Sequence, residues 1–218
     1  MADQLDPKKI REVFRNVRNH REMERIIRRC STNPEDIRQA ALSGVDLTSC
    51  RTVLELGCAF GSFTVALKGR LHPRAHITGL DIIPEYEPFF LEACEQAGYP
   101  GRFSSDGVHQ IAGFPTAGVD LILCSFALYF FVDILPDIAR ILTPDGRLIA
   151  ITHASGNMRE LIGAIRNILK THGVLEPDDV LPIEQILKVF TAENGAALLA
   201  PHFVGIRKID FPNTLVFP

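Results

Sequence analysis

The 218-residue chain contains no long apolar run, no Cys-x-x-Cys pair, no internal repeat and no low-complexity tract. Each absence removes a class of function. The longest apolar stretch, Phe126 to Val132, is far short of the roughly 20 residues that cross a bilayer. No apolar segment near the amino end reads as a signal peptide. The five cysteines, Cys30, Cys50, Cys58, Cys94 and Cys124, are unpaired by spacing and odd in number, which excludes a disulfide framework and a zinc knuckle and fits a reducing cytoplasm. His and acidic residues form no cluster with ligand spacing, so no metal is expected. A net charge of −3 gives no global pull toward nucleic acid or an anionic membrane, and no membrane partner is expected.

What is present is a globular composition, 46% hydrophobic and 22% charged, in a chain long enough for one core. Charge is uneven: residues 1–30 hold nine Lys/Arg against five acids. Two readings of that excess stay open, the solvated face of an amphipathic helix or a collar for an anionic substrate. Asp6-Pro7 opens a helix carrying Ile10, Val13, Phe14 and Val17, continued by Met23, Ile26, Ile27 and Cys30, with a break expected near Asn19-His20. Asn33-Pro34 begins a shorter helix that Gly44 ends.

From Thr52 the texture alternates. Strands are expected at 52–56, 76–81, 102–105, 119–125 and 147–152, with helices at 63–67, 84–96 and 135–142 between them. The run Val119–Ser125 is apolar without alternation, as in a strand covered on both faces. The pattern predicts an α/β fold, a doubly wound and mostly parallel sheet. Helices follow at 157–171 and on to Phe190, and Thr191 caps a last one through Leu199. Residues 203–211 and 214–217 read as an antiparallel hairpin turned at Pro212-Asn213.

The candidate chemistry lies where strands end. Gly57 and Gly61 allow a sharp turn and close backbone approach to a ligand. Glu55 lies inside an apolar strand, where an unpaired carboxylate costs several kcal/mol, so it requires a partner such as a ligand ammonium. Asp81 closes the second strand, placed to accept from both hydroxyls of a ribose. Asp106 follows the third strand at the same edge.

The segment Val53-Leu54-Glu55-Leu56-Gly57-Cys58-Ala59-Phe60-Gly61 resembles the first motif of class I, Rossmann-like methyltransferases that use S-adenosylmethionine, with Ala59 where that family has its middle glycine. Gly79-Leu80-Asp81, Asp106-Gly107, Val119–Leu123 through Tyr129, and Leu142–Leu148 resemble its later motifs in order, over about residues 50–153. The resemblance implies a seven-stranded sheet completed by the tail hairpin. It implies a bound S-adenosylmethionine, leaving as S-adenosylhomocysteine, held by Glu55, Gly57, Cys58, Ala59, Gly61, Asp81, Ile82, Asp106, Gly107 and Ser125, with Ile82 and Ile83 flanking the adenine.

Methyl transfer is an in-line displacement for which the protein supplies orientation. An oxygen nucleophile would need a base; His153 and Tyr129 stand after the fifth and fourth strands, and His20 is a third candidate on the lid. The division expected is a helical lid, 1–45, over a methyltransferase domain, 46–218, with 154–190 as a substrate-side elaboration. A small-molecule acceptor is expected. The chain lacks an Asn/Asp-Pro-Pro-Tyr/Phe tetrad, which disfavours base methylation, while the basic helix keeps transfer RNA open as an alternative. A homodimer and a non-catalytic cofactor-binding role also stay open. A nicotinamide enzyme would want glycine after Gly61, and Ser62 is there.

Overall fold

The computed structural model describes residues 7–176 and 178–217. Asp6, expected to cap the first helix, lies outside them. Helix α1 (Pro7–Phe14) is followed after a break at Arg15-Asn16 by α2 (Val17–Cys30). The break falls a few residues earlier than expected because the Asn16 side chain accepts from the Asn19 backbone N–H at 3.1 Å, capping α2. Asp36 caps the short α3 (Ile37–Ala41) in the same way, accepting from Arg38 N–H at 2.7 Å.

Five parallel strands follow: β1 (Thr52–Leu56), β2 (His76–Leu80), β3 (Gly101–Ser104), β4 (Val119–Ser125) and β5 (Leu142–Ile151). They stand in the order β3-β2-β1-β4-β5. The fifth strand begins five residues before the expected 147, and residues 143–146 lie inside it as an irregularity, where pairing passes from Val119↔Leu142 to Leu121↔Arg147. Helices α4 (Ser62–Ala66), α5 (Glu87–Ala97) and α6 (Leu135–Ile141) join the strands, and α7 (Arg159–Thr171), α8 (Pro182–Val189) and α9 (Gly195–Leu199) follow β5.

Each strand feeds two cores through its twofold alternation. Val53, Ile77, Leu121 and Leu123 pack with Phe63, Leu67 and Phe90 of α4 and α5. Leu54, Leu80, Ile122 and Cys124 pack with Leu128, Ile138 and Ile141 on the opposite face. Burial on both faces is why β4 shows no polar alternation.

The expected hairpin of 203–217 is not formed, and the sheet has five strands, not seven, among the described residues. The tail pairs instead with the connection after α2. Thr32 N–H donates to Thr214 O at 2.9 Å, Val216 N–H donates to Cys30 O at 2.8 Å, and Ser31 and Leu215 form an antiparallel bridge. Asn213 adds side-chain bonds, accepting from Asn33 N–H at 3.1 Å and donating to Ser31 Oγ at 3.1 Å. The alternation of residues 203–217 reads as a strand, but pairing partners are set by which backbone lies alongside.

Gly79 is required in the middle of β2 by packing: a Cβ there would come within 2.6 Å of Phe90 Cζ and 2.7 Å of Cys58 Sγ. Phe90 is fully buried and has no room to yield. Gly79→Ala is expected to destabilise the fold by about 1–3 kcal/mol, measured as a fall in the urea midpoint without change in slope.

Candidate active site

The carboxyl ends of β1, β2 and β4 converge on a bend, residues 57–61, whose backbone is left-handed at alternate positions: Gly57 at φ 62°, Ala59 at 41° and Gly61 at 68°. Ala59 adopts a conformation that costs an L-residue roughly 1–2 kcal/mol. The bend is held by its neighbour strand. Gly57 N–H and Cys58 N–H both donate to Leu80 O, at 2.8 and 3.3 Å. Asp81 Oδ2 accepts from Ala59 N–H at 3.0 Å, and Asp81 Oδ1 accepts from Ile83 N–H at 3.1 Å. Burial raises the Asp81 pKa and these backbone bonds oppose the rise.

The glycines play parts the sequence did not reveal. A Cβ on Gly61 would meet Ala93 Cβ at 2.6 Å, so its bare backbone admits α5 as a neighbour. A Cβ on Gly57 would meet Ala127 Cβ at 2.7 Å, in the segment after β4. Both serve close packing of protein on protein. Gly107, at φ 79°, packs on Ile82, whose Cγ2 lies 2.8 Å from where its Cβ would be. That contact joins two of the expected adenine-side residues. Asp106 is exposed and accepts from Ser104 Oγ at 3.2 Å. The Cys58 side chain is buried in the core beneath Gly79, leaving only its backbone at the bend.

Glu55 has the partner its burial demanded, and that partner is internal. Thr64 of α4 donates to Glu55 Oε2 from its hydroxyl at 2.5 Å and from its N–H at 3.1 Å. At 2% exposure the carboxylate lies beneath the bend. Burial raises its pKa to about 7, against the lowering effects of Thr64 and the Arg38 charge.

Arg38 is a residue that sequence reasoning missed. Its charge acts on both Glu55 and Glu24. Its Nε is buried without a hydrogen-bond partner. The other orphaned buried atom among the described residues is Ser125 Oγ, at the carboxyl end of β4. In sequence Arg38 looks like any surface arginine of a short helix.

An aromatic roof covers one flank of the bend. Phe60 packs edge-on to Tyr86 (5.0 Å between centroids) and against His20 of α2 (5.2 Å). His20 Nδ1 lies 2.5 Å from Tyr86 Oη, and burial lowers the His20 pKa. The Arg21 guanidinium stacks 4.9 Å from the Phe60 centroid and 4.3 Å from that of Phe89. Phe14 meets Phe130 at 6.1 Å. Phe14 and Val17 pack against the Phe60–Ile83–Tyr86 cluster, as helical periodicity required of an inward face. Gly57, Ala59, Ile82 and Ser125 remain half-exposed beside this roof, and Phe126 is exposed at φ 52°. The surface concavities lined by His76, Pro100, Gly101 and Arg102, and by Thr52, Thr78 and Val119, lie at the amino ends of the strands, away from the bend.

His153 and Tyr129 stand together beyond β4 and β5, their rings 5.1 Å apart. His153 Nε2 bonds the Leu187 carbonyl at 3.1 Å, which places its proton there and leaves Nδ1 as the free base. Burial lowers the His153 pKa, so it is neutral at neutral pH. Burial pushes the Tyr129 phenol above its ordinary range. A tyrosine that holds its proton so firmly is unsuited to act as a general base at neutral pH.

Residues 53–146 match the family model of the methyltransferase domain. That match covers 94 of the 218 residues, and the fold is the one shared by solved methyltransferases. Among solved structures it is similar to an S-adenosylmethionine-dependent methyltransferase from Aquifex aeolicus, at 18% identity and TM-score 0.51, covering 93% of this chain and 89% of that one. It is similar also to a methyltransferase-fold protein from Bacillus halodurans, at 13% identity and TM-score 0.53, covering 76% and 67%. Against the cyclase SpnF the match has 18% identity and TM-score 0.43, covering 51% of this chain and spanning 42% of that protein's length. No curated protein sequence matches the chain.

Glu55 titrates in the cofactor-free protein with a sign that can be checked. Its pKa is raised from 4.5 to about 7 by folding. The native state therefore binds more protons than the unfolded chain between those values, and stability falls as pH rises through the window. Glu55→Gln is expected to remove most of that slope, roughly 3 kcal/mol between pH 4.5 and 7, as read from urea unfolding at a series of pH values.

Proposed function

We propose that the chain transfers a methyl group from S-adenosylmethionine to a small-molecule acceptor by in-line displacement, with S-adenosylhomocysteine as product. The observation that carries this reading is the Asp81 carboxylate, held against the left-handed bend by Ala59 and Ile83. Each of its oxygens accepts one backbone bond and has a lone pair to spare for a ribose hydroxyl. The donor set fits the rest of the group. Ile82 and Gly107 offer an apolar wall to the adenine, with Asp106 at its edge. Ser125 Oγ, which lacks a partner, supplies a hydroxyl for the amino-acid end, and Arg38, whose Nε lacks one although its Nη1 lies 3.8 Å from the Asp36 carboxylate, supplies a cation. Glu55 then acts from beneath, fixing α4 to β1 through Thr64.

When bound, the cofactor supplies an electrophilic methyl on a sulfonium. The protein's part is to orient. The wall beyond β4, formed by Phe14, Tyr129, Phe130 and His153 in successive ring contacts, carries no formal charge at neutral pH. This favours a small apolar acceptor over a highly charged one. His153, with Nδ1 unprotonated, can receive the proton of an oxygen or nitrogen nucleophile. In this reading residues 1–45 form a lid over domain 46–218, with 154–190 shaping the acceptor side, in a cytoplasmic enzyme.

Two outcomes test these assignments. Asp81→Ala should weaken S-adenosylmethionine binding at least about tenfold; a calorimetric titration with unchanged affinity removes Asp81 from the sugar. His153→Ala should lower turnover with a labelled methyl donor while leaving cofactor affinity within about twofold. Equal turnover in both proteins retires it as the base.

A further inference from the structure

We propose that Glu24, on the inward face of α2, is the counter-ion for the ammonium at the amino-acid end of the cofactor. The inference rests on the cofactor reading above and names a partner for the one group that reading leaves without one. Glu55 was expected to meet a ligand ammonium. It lies instead beneath the bend, engaged by the Thr64 hydroxyl and N–H. An ammonium above the bend therefore needs a different carboxylate.

The periodicity of α2 supplies it. Val17, His20, Arg21 and Glu24 recur at spacings i, i+3, i+4 and i+7 and are half-buried, whereas Arg18, Asn19, Glu22, Met23 and Arg25 between them are exposed. Two members of this stripe are fixed on the roof of the bend. His20 Nδ1 lies 2.5 Å from Tyr86 Oη, and Arg21 stacks 4.9 Å from the Phe60 centroid. Glu24 follows on the same face, about 6 Å along the axis from His20. Its charge acts on the Tyr86 phenol together with that of Asp81. Arg38, whose charge acts on Glu55, acts on Glu24 as well. Glu24 is thus close to the groups at both ends of the bend.

Nothing within the chain satisfies this carboxylate. Burial raises its pKa, and the charges of Arg38 and Arg21 oppose the rise. It makes no hydrogen bond and no ion pair among the described residues. Arg38 meets Asp36 at 3.8 Å and keeps a buried Nε without a partner. Opposite charges that feel each other without closing into a pair leave room for a zwitterion, its ammonium toward Glu24 and its carboxylate toward Arg38. A half-buried carboxylate without a partner is unfavourable, and an ammonium ligand removes that cost. The consequence is discrimination: α2 reads the part of the cofactor that its nucleoside lacks.

Calorimetric titration with three ligands tests this without any methyl transfer. S-adenosylhomocysteine carries both the ammonium and the carboxylate, its deaminated analogue carries the carboxylate alone, and methylthioadenosine carries neither. The full chain should bind S-adenosylhomocysteine about tenfold or more tighter than the deaminated analogue. Glu24→Gln should erase that preference by weakening S-adenosylhomocysteine alone, with the other two ligands held within about twofold. Should Glu24→Gln fail to fold, Glu24→Asp takes its place, the loss again confined to the ligand with an ammonium. Equal affinity of the parent for S-adenosylhomocysteine and the deaminated analogue overturns the proposal. So does a Glu24 variant that keeps the parent's preference, or one that weakens all three ligands alike, which is the mark of a purely structural residue. A parent that binds none of the three overturns the cofactor reading itself.

Discussion

The site depends on one carboxylate accepting two backbone hydrogen bonds. Asp81 ends β2 and pins the first bend through Ala59 N–H while closing its own turn through Ile83 N–H. Without that bond the strained Ala59 would have little to hold it at φ 41°, and the alternation of left-handed residues that bares the bend would relax. The Leu80 carbonyl, one residue earlier, holds Gly57 and Cys58. The end of one strand thus shapes the loop leaving its neighbour, which is why parallel strands with this crossover concentrate chemistry at their carboxyl ends.

A second layer supports the first. Glu55 and Thr64 lock α4 beneath the bend, Gly61 lets α5 approach, and Gly79 lets Phe90 close the space below. These contacts make the bend rigid from the protein side, so its outer side is free to be specific. The pKa pattern follows the same division. Glu55, deep and surrounded by apolar side chains, is raised to about 7; Asp81, nearer the mouth and bonded by N–H groups, has those bonds opposing the effect of burial.

The roof is of different character. Its contacts to the bend are aromatic and edge-on, through Phe60, Tyr86 and His20, and its far end is fastened by the tail pairing with residues 30–33. This cover is thus attached by ring contacts on one side and by a backbone clip on the other.

Periodicity and motif order alone determined the alternation of strands and helices, the boundaries of β1 and β4, and the gathering of Glu55, Asp81, Asp106 and Ser125 at one edge, because side-chain period and glycine placement are local physics. Tertiary structure decided the rest. Whether Glu55 meets a ligand or Thr64, whether Gly61 serves a ligand or a helix, and whether residues 203–217 join a sheet or pair with residues 30–33 depend on what lies across a gap of many residues, and no local pattern encodes it. The same holds for Arg38, an unremarkable cation in sequence whose buried Nε and proximity to Glu55 and Glu24 arise only when α3 is packed against α4 and β5.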